Sequence, residues 1–359
     1  MKLKTIVQAL TAVSVGSALL LAGIAHAAPA AAQGQFEVAK HYALSGADGW
    51  DYVGYDAVRH HLFISRGDHV QVVDVNSGQL VGEIANTDGV HGFAFVQDQQ
   101  RGFITNGRAD TITVVDLDTL RTLETIKAGG PDPDGIMYAL NLKRLYVSNG
   151  HDKSVSAIDP TTGKVVATMP VGGKPESLAI DNDGRIFVNV EDKGEIVAMD
   201  GKTNKVLAHW SIAPCEAPSG LAIDPKTERL FTVCANNRMM VIDAQSGRQV
   251  AQLPIGGHPD AAGFDPVLKT AFSSNGADGT LTVVHEDDAD HYTVLQNVPT
   301  EVGAKSMALD SDTHRVFLVS SKFGSTPAAT ADNPHPHPSV VPGTFNVLVA
   351  QRKAQSASN

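Results

Sequence analysis

One polar or charged residue recurs about every 42 positions along this 359-residue chain: Asp51, His91, Asp134, Glu176, Ser219, Asp260 and Lys305. Six of these seven are ionisable. Carboxylates held near one another in a partly dry funnel attract a cation or pair with basic neighbours, here Lys305 and Arg66. A second recurring column, later in each repeat, holds Arg66, Asn106, Asn149, His151, Glu191, Asn236, Asn275 and Lys322. Together the two columns nominate Asp51, Arg66, His91, Asp134, His151, Glu176, Asp260 and Lys305 as ligand-binding candidates, against the plainer reading of a solvated polar rim. A divalent metal is a further candidate ligand, with His91, His335 and His337 as its nominated residues. Pro336 between His335 and His337 favours an extended backbone that sends the two imidazoles apart, so a metal needs a third donor such as His91 or His151.

The signatures of common catalysts are absent. There is no Gly-rich phosphate loop, no Gly-x-Ser-x-Gly elbow, no Cys-x-x-Cys-His attachment site and no His-Glu-x-x-His helix. No residue is therefore assigned a catalytic role.

Short strands must position these side chains. In the stretch from Arg144 to Asp181, three alternating apolar runs (Leu145 to Ser148, Val155 to Ile158, Val165 to Met169) are too short for helices and rich in β-branched residues. Asp159-Pro160-Thr161-Thr162-Gly163 joins the second run to the third with hairpin chemistry. A fourth strand, Glu176 to Ile180, follows a Gly-Gly-Lys-Pro turn. Copies of the unit close their third strands at Asp74, Asp116, Asp159, Asp200 and Asp243, with His285 at the next register, and an interrupted last copy makes seven. The spacing predicts an all-β, seven-bladed β-propeller over residues 35–351. The last blade shows three strands (Lys305 to Asp310, Val316 to Ser320, Phe345 to Ala350) and lacks a fourth, whereas Phe36 to Leu44 is a strand without a hairpin partner. The N-terminal strand is therefore expected to complete the last blade and close the ring. Asp56, Asp181, Asp224, Asp265 and Asp310, at the ends of inner strands, read as turn caps.

The repeat resembles the YVTN-type (YncE-like) β-propeller family on Tyr146-Val147-Ser148-Asn149, Ile158-Asp159 and Thr162-Gly163-Lys164-Val165, with Phe103-Ile104-Thr105-Asn106 as the next match. The resemblance spans essentially the whole mature chain and implies an architecture and an exported location. It does not imply one activity, because similar propellers include lactonase-like enzymes, the haem-d1 domain of nitrite reductases and exported binding proteins. The Trp-Asp that ends strands in WD40 repeats is missing; Trp50-Asp51 stands at the entry to an inner strand.

Lys2 and Lys4 precede an apolar run from Ala9 to Ala25, and Ala25-His26-Ala27 fits a small-x-small cleavage site, so residues 1–27 read as a secretory signal and 28–34 as a flexible leader. Ile24 stands where a lipoprotein would carry its Cys, so the reading is a periplasmic or secreted protein that is not lipid-anchored and has no membrane span. The formal charge of −11 disfavours nucleic acid as a partner. Cys215 and Cys234, an even pair in an oxidising compartment, are expected to form a disulfide. Residues 323–343 form a Pro- and His-rich insertion in the last blade on the channel-loop face, and 352–359 a disordered tail.

These readings favour an exported, monomeric, non-catalytic propeller that binds a small molecule, a metal or an exported protein on its channel-loop face. Two alternatives remain: a lactonase-like hydrolase using a rim-bound divalent cation to polarise a carbonyl, and a protein-docking scaffold.

Overall fold

A computed structural model describes residues 35–326 and 338–353. Residues 1–34, where the signal and leader are expected, residues 327–337 of the insertion with His335 and His337, and the tail from 354 lie outside the described residues.

Seven four-stranded antiparallel sheets form the blades of a ring. In blade three, Pro133–Ala139, Arg144–Asn149, Ser154–Asp159 and Lys164–Pro170 run in sequence order from the channel outward. Burial is greatest in the two middle strands. The second strand is buried beyond Arg144, since both faces of a middle strand meet neighbouring blades, and the fourth strand is mostly exposed. Second strands therefore read as unbroken apolar runs and outer strands as alternating ones. Apolar clusters fill the spaces between blades, such as Tyr146, Val155, Ile186 and Val197 between blades three and four.

The third-to-fourth turns repeat one device. Asp159 Oδ1 accepts the amide of Thr161 at 2.9 Å, and its carbonyl accepts that of Gly163, which takes φ +65°. Asp74, Asp116, Asp200 and Asp243 likewise accept a turn amide on Oδ1 in other blades. The inner-strand aspartates Asp56, Asp181, Asp224, Asp265 and Asp310 are buried and likewise accept amides of the turns that follow them.

The ring closes through the N-terminal strand. Phe36–Ala43 pairs antiparallel with Asn346–Arg352 and completes the sheet of Met307–Asp310 and Arg315–Ser320. This strand also holds both neighbouring blades. Phe36 packs edge-to-face on Phe272 at 5.2 Å and exchanges two backbone-to-side-chain hydrogen bonds with Gln296, both in blade six. Tyr42 donates to the carbonyl of Val75 in blade one at 3.0 Å. The third strand of the last blade runs on to Arg352, and the amide of Lys353 still reaches the carbonyl of Gln35, so order continues past residue 351.

Cys215 and Cys234 are bridged with a Cα–Cα distance of 5.3 Å. The bridge ties the loop entering blade five to the end of that blade's second strand, Arg229–Cys234. Among the described residues no helix is long and apolar enough to cross a membrane.

Candidate functional site

The first strands of blades two to six, Val90–Val96, Pro133–Ala139, Pro175–Ile180, Pro218–Asp224 and Pro259–Asp265, each lose register with their partner just after the first residue. The residues in these bulges are His91-Gly92, Asp134-Gly135, Glu176-Ser177, Ser219-Gly220 and Asp260. A bulge re-aims a side chain that regular pleating would send elsewhere, and here one recurring bulge presents one polar side chain per blade to the channel. The glycines follow from close packing of neighbouring inner strands. A Cβ on Gly92 would lie 2.9 Å from the carbonyl oxygen of Asp134, and one on Gly135 would lie 3.1 Å from that of Glu176.

These side chains line one cavity of about 490 Å³ at the channel mouth, bounded by Asp51, His91, Asp134, Lys174, Glu176, Ser219, Asp260 and Lys305. Two residues further along the inner strands the lining turns apolar, with Val53, Ile136, Leu178, Leu221 and Met307. The result is a charged collar over an apolar throat.

The charges are interlaced. His91 Nδ1 lies 2.5 Å from Asp51 Oδ2 and 3.8 Å from Asp134 Oδ1. Lys305 Nζ lies 3.0 Å from Asp260 and 3.8 Å from Asp51. Lys174 Nζ lies 2.6 Å from both Glu176 and Glu191. Among the described residues Asp134 has no comparably close cation, and its Oδ1 is buried without a hydrogen-bond partner.

Proton affinities reflect this. Burial pushes Asp134 up to about 6 despite His91, and burial together with Asp134 pushes Glu176 up to about 8 despite Lys174. Burial disfavours the His91 cation, yet the hydrogen bond to Asp51 and the field of Asp134 raise it to about 9. Asp51 is held below its usual range, because His91 and Lys305 outweigh its burial. Lys305 is raised against its burial by Asp260 and Asp51. The collar thus carries more carboxylates than it has cations to satisfy them.

Of the residues nominated from sequence, Asp51, His91, Asp134, Glu176, Asp260 and Lys305 meet in this cavity; Arg66 and His151 do not. Arg66 is a correction. It is fully buried, its guanidinium lies 3.6 Å from the centre of the Phe345 ring, and it donates to Gln71 Oε1 at 2.9 Å and to the carbonyl of Asp48 at 3.0 Å. It anchors the segment entering blade one and balances no charge at the mouth. His151 is solvent-exposed, 3.5 Å from Asp132 and outside the cavity.

Asn106, Asn149 and Asn275 are also internal. Each donates to two hydroxyls of its own third strand: Thr111 and Thr113, Ser154 and Ser156, Thr280 and Thr282. Sequence reasoning missed Lys174. It stands two residues before Glu176 in a turn that was legible only as a turn, and the adjacent carboxylate was its one local signal. At the base of the insertion, Phe323 and Val340 form an antiparallel bridge, and Phe323 stacks on Trp50, the neighbour of Asp51, at 5.7 Å.

A family model described as outer membrane protein assembly factor BamB matches residues 151–295. In structure the chain is similar to Kuenenia stuttgartiensis hydrazine synthase, with a TM-score of 0.67, 20% identity, and coverage of 76% of this chain and 93% of that one. It is also similar to U3-55K and to the WD40 repeats of RRP9, each at a TM-score of 0.71 and 11% identity, covering 87% and 88% of this chain and 99% and 98% of those chains. At such identities the likeness concerns the fold alone. No curated protein sequence matches the chain.

Proposed function

We propose that this chain is an exported binding propeller that captures a small, positively charged ligand at the mouth of its channel. One observation carries the reading: four carboxylates, Asp51, Asp134, Glu176 and Asp260, line a single cavity whose cations, Lys174, Lys305 and His91, are already engaged. Like charges crowded in a partly dry site are relieved by a cation, and the overall charge of −11 favours its approach. The collar supplies charge recognition and the apolar throat accommodates a small hydrophobic body.

Export is supported by the apolar N-terminal run after Lys2 and Lys4, by the disulfide, and by similarity to the model of an outer membrane assembly factor. The Tyr-Val-Thr-Asn-type repeat likeness at Tyr146 to Asn149 agrees with the same reading. Hydrolysis is the second reading, favoured by Glu176, which near neutral pH retains a proton it can donate within the cavity.

Calorimetry of the mature chain against a panel of organic ammonium ions and divalent metal ions tests the proposal. Binding of at least one cation is expected, weakened in a Glu176→Gln, Asp260→Asn double variant if the ligand is organic. Absence of binding by every member of the panel would overturn it, and turnover of a lactone substrate would favour the second reading.

A further inference from the structure

The ring is uneven, and its unevenness points to a ligand class. Lys305 and Lys174 serve the side of the mouth built by blades four to seven. The side built by blades one to three holds Asp51, His91 and Asp134, and among the described residues no Lys or Arg is in contact with them except Lys305 at 3.8 Å from Asp51. One donor atom from each of these three residues lies within 4.8 Å of the others.

We propose that Asp51, His91 and Asp134 form a three-ligand site for a first-row divalent transition metal ion, a refinement that rests on the cation-capture reading above. Metal–nitrogen and metal–oxygen bonds of about 2.0–2.2 Å place ligand atoms roughly 3–3.5 Å apart. His91 Nδ1 to Asp51 Oδ2 is 2.5 Å and His91 Nδ1 to Asp134 Oδ1 is 3.8 Å, so small side-chain rotations bring all three onto one ion, which replaces the Nδ1 proton shared with Asp51 and releases it to solvent.

A second observation is independent of proximity. Asp134 Oδ1 is buried and has no hydrogen-bond partner among the described residues, although a buried carboxylate oxygen is costly to leave unsatisfied. A metal bond satisfies it.

The backbone beneath the donors is fixed. Thr105 Oγ1 accepts the amide of Gly92, beside His91, at 2.8 Å and donates to the carbonyl of Asp134 at 2.6 Å, while the amide of Asp51 donates to Ser65 Oγ at 2.9 Å. Two second-strand hydroxyls thus hold all three donor positions, the arrangement that metal sites need from their supporting shell. An imidazole among the donors selects zinc, iron, nickel or copper over magnesium and calcium. Three protein ligands leave coordination positions open to the cavity they line, as in sites that bind an exchangeable ligand.

The test uses the full mature chain, stripped with chelator and dialysed, in wild-type form and in a His335→Ala, His337→Ala background that removes the insertion's imidazoles. Zinc, manganese, magnesium and tetramethylammonium are titrated separately, and bound cobalt is followed by its visible absorption. The expected result is one equivalent of zinc in both backgrounds, with manganese weaker and magnesium weakest. His91→Ala and Asp134→Asn should each lower that affinity by at least about 100-fold, the upper end of what supporting residues alone contribute. His151→Ala, an exposed imidazole outside the cavity, should leave it within a few-fold.

Stoichiometric metal that survives His91→Ala, or that disappears with His335 and His337, would overturn the inference. Tetramethylammonium binding without metal binding would overturn the metal site and leave cation capture standing. Binding of neither class would overturn both.

Discussion

The hydroxyl of Thr105 donates to the backbone carbonyl of Asp134 at 2.6 Å, so a side chain in the second strand of blade two holds the entry of blade three's inner strand. The same link recurs where Asn189 donates to the carbonyl of Ser219 at 2.8 Å and where Ser274 donates to that of Lys305. Blades two, four and six thereby set the collar residues of blades three, five and seven.

Thr105→Val tests the link. The substitution keeps the side-chain volume but strands the Gly92 amide and the Asp134 carbonyl, both at the bulge. A loss of about 1–3 kcal/mol in denaturant unfolding is expected, with Thr105→Ser close to wild type. Equal midpoints for the Val variant and the wild type would show that the hydroxyl positions nothing.

Much of this geometry is readable because it is periodic. Asp51, His91, Asp134, Glu176, Asp260 and Lys305 sit at one register of a repeat, and a shared register in a closed ring means a shared place around its axis. The closing strand was legible for a similar reason: Phe36 to Leu44 lacked a partner and the last blade lacked a strand. Arg66 was not legible. Its register suggested the rim, but its partner Phe345 is remote in sequence and the segment it clasps, Ser45 to Asp48, carries no signal that its carbonyls need a donor. The buried Asn106, Asn149 and Asn275 misled in the same way, since an asparagine at a strand end looks alike whether it faces water or two hydroxyls on the next strand.

Ring closure gives a second prediction. Phe36 is 3% exposed and packed on Phe272, so Phe36→Ala should cost about 3–5 kcal/mol. Deleting residues 36–43 should cost more, because it also exposes the edge of Asn346–Arg352. Deleting residues 28–33 should leave the melting temperature unchanged. Calorimetric scans of the three variants check this, and a longer deletion that melts with the wild type would refute closure by this strand.

The third prediction concerns a carboxyl outside the mouth. Glu286, in the third strand of blade six, Thr280–Asp288, is 1% exposed and makes no ion pair among the described residues. Asp224, Thr227, Lys269 and Tyr292 surround it. Burial, reinforced by Asp224, pushes it up to about 7 from an ordinary 4.5. The folded state therefore binds a proton that the unfolded chain has released. The stability this contributes is fully present below about 4.5 and is lost as pH rises from there through about 7, a change on the order of 3 kcal/mol. Glu286→Gln keeps the shape and cannot ionise. It should match the wild type near pH 4.5 and exceed it by roughly 2–3 kcal/mol at pH 8 in urea unfolding, with the difference between the two proteins cancelling the titration of every other carboxylate. A variant less stable than wild type at pH 8 would mean that Glu286 is ionised and satisfied in the folded protein.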